Sequence, residues 1–419
     1  MRAFIFGTTC AVFLAACGEP PTGVGQVPAI QPERPLAPID PKLGELFSGG
    51  TAGKMATLEP ITVGWLAQEG GSPSEPEATV SFKAAVAYIN SALGGIHGHP
   101  LLISQCTVVN SDAQGQICAQ QFLNDASLKV IVQVGLNHGN ATFHSTINGQ
   151  RPVLMSFANP GPDTEARNAY GLTSASISYI STVVPYLRSL HAHTVALISP
   201  EGAIDVEVAR AVQAGLEASG VRTILALFPE NGTDLVTPLV ASGALTADAV
   251  LPLVVRPASC IALGKATRQI GLTTPVVATG LCATDAVKSA LGDFPRFTYH
   301  YSLLNPNAPD DTGQVDFYRA VMAKHAPPHA ELGLGAPYAF TAGFALAKVL
   351  NSLTLSETTS TEAIGKALSA FAGPLLLGPP QLKYGSLSHF PALMTADGRW
   401  YTYEGDGHWT KSSGWISVE

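Results

Sequence analysis

Arg256 follows an apolar run over residues 249–255 and precedes Pro257, so its guanidinium stands where a buried strand gives out. A rigid fork of donors there pairs bidentately with an anionic solute; a surface arginine is the other reading, and both stay open. Other apolar runs end in the same way. Gln68 and Glu69 follow residues 61–67, Asn137, His138 and Asn140 follow 129–135, Ser156, Ala158 and Asn159 close and follow 152–156, and Asp205 follows 194–198. Hydrogen-bonding groups gathered at strand exits suit the capture of a small polar molecule. Glu69 and Asp205 are the candidate acidic partners, and His138 is either a donor to that molecule or a solvated loop residue. His97 with His99 and His191 with His193 have the spacing of paired metal ligands but lack a third partner, so no metal is expected. The sequence contains no Gly-x-Ser-x-Gly elbow, no Gly-x-Gly-x-x-Gly after a strand, no phosphate-loop lysine and no His-Glu-x-x-His helix. A binder that is not an enzyme and needs no cofactor is the expectation.

These residues must be positioned by strands and helices in alternation. Residues 61–106 set the pattern: an apolar run, a polar loop, a helix with Phe82, Val86, Ile89 and Leu93 on one face, a Gly94-Gly95 stop, and a second apolar run. A connection that long makes the two strands parallel neighbours. The exits near Ala67, Leu136 and Ser156 then share one sheet edge, the edge at which open α/β sheets hold ligands. Residues 168–178 read as a crossing, after which strand–helix alternation restarts as a second α/β layer; residues 297–304 read as another crossing. Residues 391–394, 400–403 and 408–416 read as short aromatic strands separated by Asp-Gly and Ser-Gly turns, with Trp400, Trp409 and Trp415 packing among them.

At 419 residues, 46% hydrophobic and 13% charged, the chain is sized for two domains. Its net charge of −8 and lack of a basic cluster exclude a nucleic-acid partner. Arg2, an apolar stretch over 3–13 and Leu14-Ala15-Ala16-Cys17 resemble a bacterial lipoprotein signal, with cleavage before Cys17 and acylation of that cysteine. A plain secretory signal is the alternative. The lipid would be the only membrane anchor. Residues 17–59, rich in Pro and Gly, read as a tether that cannot offset its ordering entropy. Four cysteines remain: Cys106, Cys118, Cys260 and Cys282. An even count in an exported chain predicts two disulfides, and of three pairings the local ones, 106–118 and 260–282, are preferred.

The order Val63-Gly64, residues 82–90, Gly94 to Gly98, Val134-Gly135, residues 152–156, 208–216 and 266–272, and Pro337-Tyr338 resembles the leucine/isoleucine/valine-binding family of type I periplasmic binding proteins. Those are extracytoplasmic receptors of ABC importers, and the resemblance covers residues 61–419, with lipid-anchored members the nearest in texture. It implies an α/β fold of two Rossmann-like lobes joined by a three-strand hinge, with the ligand cleft between lobes. The division implied is 60–178 with 300–390 for one lobe and 179–299 with 391–419 for the other. It implies hinge closure over a solute, ABC permease subunits as partners, a monomer, and an exported, membrane-anchored location. Carried over by position, the family's second-lobe tyrosine falls on Ile204 and its acidic residue for an α-ammonium on Gly280 or Leu281. A buried ammonium without a carboxylate is costly, so the expected solute is amino-acid-like, an amide or a short carboxylate rather than a free aliphatic α-amino acid. A ligand sensor of the same fold, uncoupled from transport, is the alternative.

Overall fold

The computed structural model describes residues 35–417 except 72, 73, 231, 233, 334 and 381, and does not describe the side chains of Ala203 and Ile204. The signal segment 1–16, Cys17 and the first half of the tether lie outside the described residues.

Strand β1 (Ile61–Gln68) is an interior strand of the first sheet, and its Val63, Trp65 and Leu66 are fully buried. The helix Pro76–Ala92 packs on it through Phe82, whose ring stacks on Trp65 with centroids 4.3 Å apart. Gly94 and Gly95 take positive φ and end that helix, as paired glycines free of a Cβ clash can. β2 (Leu101–Val108), β3 (Ile131–Gln133), β4 (Val153–Met155) and β5 (Ala169–Gly171) complete an all-parallel sheet in the order β2-β1-β3-β4-β5. The order reverses between β1 and β3, which makes their exits the switch point of this sheet.

The second layer repeats the plan. β6 (Thr194–Pro200), β7 (Arg222–Phe228) and β8 (Ala249–Pro252) pair in the order β7-β6-β8, all parallel. A parallel bridge from Val250 to Val276 leads on to β9 (Val277–Thr279) and β10 (Thr298–Tyr301). β11 (Arg399–Gly405) and β12 (His408–Lys411) add an antiparallel margin. Asp406 and Gly407, both at positive φ, form the hairpin turn between them. Here the switch point lies between β6 and β8.

The chain passes between the layers after Gly171, after Tyr301 and before Arg399. Each layer has its own apolar core. One includes Trp65, Phe82, Phe340 and Phe344; the other layer's includes Tyr299, Tyr403 and Trp409, with Trp400 in an adjoining cluster. This is the two-layer α/β arrangement with three crossings that the resemblance implies. Cys106 is bonded to Cys118 and Cys260 to Cys282.

Three readings of the sequence need correction. The spacer stops short of residues 41–59: Pro41–Ser48 is a helix capped by Asp40, with Phe47 buried. Lys348 Nζ donates to Leu46 O at 2.7 Å and Asn351 Nδ2 to Ser48 O at 3.0 Å, so partners 300 residues away supply the burial that composition could not. Residues 391–394 form no strand; Leu393 makes only a bridge to Gly171 and joins the first core, as do Met394 and Ala396. Beyond β12 a further strand is likewise reduced to the bridge Gly398–Ile416.

Candidate functional site

At the first switch point Gln68 ends β1, fully buried, and its Oε1 accepts a hydrogen bond from Asn137 N at 2.6 Å. The loops after β1 and β3 are thereby tied together. The loops after β3 and β4 are tied by Asn159 Nδ2, which donates to Leu136 O at 2.7 Å. Behind them Asp163, fully buried, accepts from Gln133 Nε2 at 3.1 Å and Asn159 N at 2.9 Å and lies 3.0 Å from His144 Nε2. One carboxylate thus holds three elements in register. Gly135 has no room for a side chain: a Cβ there would lie 1.9 Å from the Phe157 ring, which caps the exit of β3.

Along this edge runs a row of buried polar atoms that find no hydrogen-bond partner: Gln68 Nε2, Gln133 Oε1, Ser156 Oγ and Thr173 Oγ1. They stand at the ends of β1, β3, β4 and β5 in turn. Buried polar groups are ordinarily paired, and these four lie in a row along the carboxyl edge of one sheet.

The second switch point gathers Asp205, Glu230 and Arg256. Arg256 donates to Glu230 Oε1 at 2.5 Å, both side chains being about half exposed. Burial raises the Asp205 carboxyl, Arg256 opposes that, and Glu230 adds to it. Arg256 therefore already has a carboxylate partner.

The remaining residues singled out in the sequence divide as follows. Asn137 is exposed, and His138 and Asn140 are half-buried, with Asn140 Oδ1 accepting from Ala141 N. Ala158 is fully buried, its N bonded to Thr173 O, so it belongs to the crossing rather than to an open wall. Glu69 bonds inward, accepting from Thr79 Oγ1 and, at 3.5 Å, from Gln105 Nε2. Leu281 sits half-buried in the turn Gly280–Cys282. Ile204 lies in the first turn of the helix Ala203–Ala218, its side chain outside the description.

Sequence reasoning missed a further wall. The carboxyls of Glu75 and Glu77 meet the loop before the helix Ala336–Asn351, where Glu77 Oε1 accepts from Gly335 N at 3.3 Å. Glu331, on the same loop, accepts from Asp285 N of the second layer at 3.3 Å. On the helix that this loop enters, Tyr338 pairs its ring with Phe157 at 5.2 Å, and its OH is 2.9 Å from Ser302 Oγ. The signal available was Glu75-Pro76-Glu77 at a helix start, which reads as helix-dipole capping.

The family model for periplasmic binding proteins matches residues 60–394. Among curated proteins, none matches. Solved structures share the fold. An ABC transporter substrate-binding protein from Sphaerobacter thermophilus is 17% identical, with TM-score 0.70, covering 86% of this chain and 98% of its own. A solute-binding protein from R. palustris, in complex with 4-hydroxybenzoate, is 15% identical with TM-score 0.68, covering 86% and 96%. A branched-chain amino acid transporter substrate-binding protein from Streptococcus pneumoniae, in complex with isoleucine, is 15% identical with TM-score 0.65, covering 86% and 99%. A family match across that span, on a fold of two α/β layers with three crossings, means that the chain belongs to the periplasmic binding protein family.

Proposed function

We propose that this chain is an extracytoplasmic solute receptor of an ABC importer, which captures a small organic molecule by closing its two layers over it. The row of unpartnered polar atoms at Gln68, Gln133, Ser156 and Thr173 carries the reading. Leaving such atoms unpaired costs about 1–3 kcal/mol each. A solute that pairs with them while touching the opposite layer binds the closed form more tightly, and that difference in affinity drives closure. Chemistry plays no part in this account: the chain binds and releases its solute unchanged. Membership of the family supports an extracytoplasmic location. Acylation at Cys17 would hold the body at the membrane, and among the described residues no helix is long and apolar enough to cross one. The departures at Ile204, Gly280 and Leu281 argue against a free aliphatic α-amino acid held in the family's usual way.

The test is a melting-temperature screen of the purified chain against amino acids, amides, aromatic and short carboxylates, and amines, followed by calorimetry. A solute at 100 times its Kd stabilises the native state by about 2.7 kcal/mol. Ser156→Ala and Gln68→Ala should weaken the binder found by ten-fold or more. A solute converted to product during the assay would overturn the reading.

A further inference from the structure

The wall formed by Glu75, Glu77 and Glu331 is not explained by the edge already described. Glu75 Oε2 is closed off from solvent and meets no donor. Burial, with Glu77 adding to it, pushes the Glu75 carboxyl up to about 8. Burial also raises Glu77, with Glu331 and Glu69 adding to the effect, although backbone N–H groups at Glu77 and Gly335 oppose it. Glu331 is raised by burial and by Asp285, against backbone donors. Among the described residues none of these carboxylates forms an ion pair with Lys, Arg or His.

Helix capping does not account for the group. The start of Pro76–Ala92 has no side-chain cap hydrogen bond, and although Glu77 reaches the N–H of Gly335 and Glu331 that of Asp285, both at helix entries, Glu75 Oε2 reaches none. A metal ion does not account for it either, since among the described residues no three His, Cys, Asp or Glu side chains stand close enough to hold one. Like-charged groups in a desolvated wall disfavour their own ionisation unless a cation joins them. One helical turn past Gly335 stands Tyr338, paired with Phe157, and aromatic faces beside carboxylates suit an ammonium. Asp285 brings a carboxylate of the second layer to the same place, so a cation there gains from both layers only when they are together.

We propose that this wall receives an ammonium group of the captured solute, with Glu75 and Glu331 as counter-charges and the Phe157–Tyr338 ring pair beside it. The inference rests on the solute-receptor reading and names one end of the solute. Its position, on the layer opposite Gly280 and Leu281, makes it a different acidic subsite from the one the chain lacks.

Calorimetry on the full purified chain tests it with choline against 3,3-dimethylbutan-1-ol, its neutral isostere, and with butylamine against butyrate and butyramide. Choline and butylamine are expected to bind, and their neutral and anionic counterparts to bind at least ten-fold more weakly. Glu75→Gln and Glu331→Gln should each weaken choline ten-fold or more, while Glu362→Gln, beside Asn168 at the far end of β5, should leave it unchanged. Choline does not titrate, so its affinity should rise several-fold from pH 6 to pH 8 as Glu75 ionises, and rise clearly less in Glu75→Gln. Melting curves of each variant establish that it is folded. Three results overturn the inference. Anionic or neutral solutes binding while cations do not would remove it and leave the receptor reading standing. Magnesium or calcium alone producing the stabilisation, lost in Glu75→Gln, would make the wall a metal site. No solute of any class binding would remove both readings.

Discussion

Ser178 Oγ stands 3.0 Å from His300 Nε2 while donating a hydrogen bond to Asp397 O at 2.6 Å. The three residues lie on or beside the three crossings, so one hydroxyl ties all of them together. Because its proton goes to Asp397, Ser178 accepts from His300, which places a proton on Nε2 of that ring. Burial pushes His300 down to about 3, in keeping with a neutral ring. A Cβ at residue 398 would lie 2.3 Å from His300 Nε2, so Gly398 completes the knot by having no side chain.

Ser178→Ala leaves a buried imidazole N–H and a buried carbonyl without partners. A loss of about 1–3 kcal/mol in urea unfolding is expected. Because the knot lies at the crossings, solute affinity should change as well, although Ser178 touches no solute. A stability loss below about 0.5 kcal/mol with unchanged affinity would make the contact incidental.

The raised Glu75 carboxyl predicts a pH dependence of the solute-free protein. Between the unfolded value near 4.5 and the folded value of about 8, the folded state holds more protons than the unfolded one. Stability therefore falls as pH rises through that window. Glu77 and Glu331, also raised by burial, add to the slope, and the carboxylates of Glu69 and Asp285 face the same region. Urea unfolding from pH 5 to pH 8.5 should show a shallower decline in Glu75→Gln than in the wild type. Identical slopes would count against a buried Glu75.

Replacing Cys260 and Cys282 together by serine opens a loop spanning 22 residues. About 3 kcal/mol of stability should be lost on the chain-entropy account. The bond joins the helix Pro257–Gln269 to the turn Gly280–Cys282, so solute affinity should weaken too. Denaturant midpoints and calorimetry on the double variant measure both.

Phe47→Ala examines the N-terminal helix. A phenylalanine buried to this extent loses about 3–5 kcal/mol on truncation, whereas a residue of a solvated spacer would lose almost nothing.

The repeating units were legible in the sequence because their signals are local. Phe82, Val86 and Ile89 share a helix face, Gly94 and Gly95 end it, and the polar loops fall where strands stop. The helix Pro41–Ser48 was not legible, since its stability comes from Lys348 and Asn351 and its composition is that of a linker. The site was legible in part. Gln68 and Asn137 follow apolar runs, and the switch point brings them into contact. Asn159 and Ala158 share that address yet turn inward, because side-chain direction is set by packing that no spacing reveals. Glu75 and Glu331 are 256 positions apart, and nothing local links them. Each looks like an ordinary solvated acid until the loop before Ala336 folds against the start of Pro76–Ala92.

Small-angle scattering of the purified chain, alone and with a saturating solute from the melting screen, measures closure itself. The account predicts that at least one small organic solute raises the melting temperature and reduces the radius of gyration, and that the solute is recovered intact. A panel covering amino acids, amides, carboxylates and amines that alters neither quantity would contradict it.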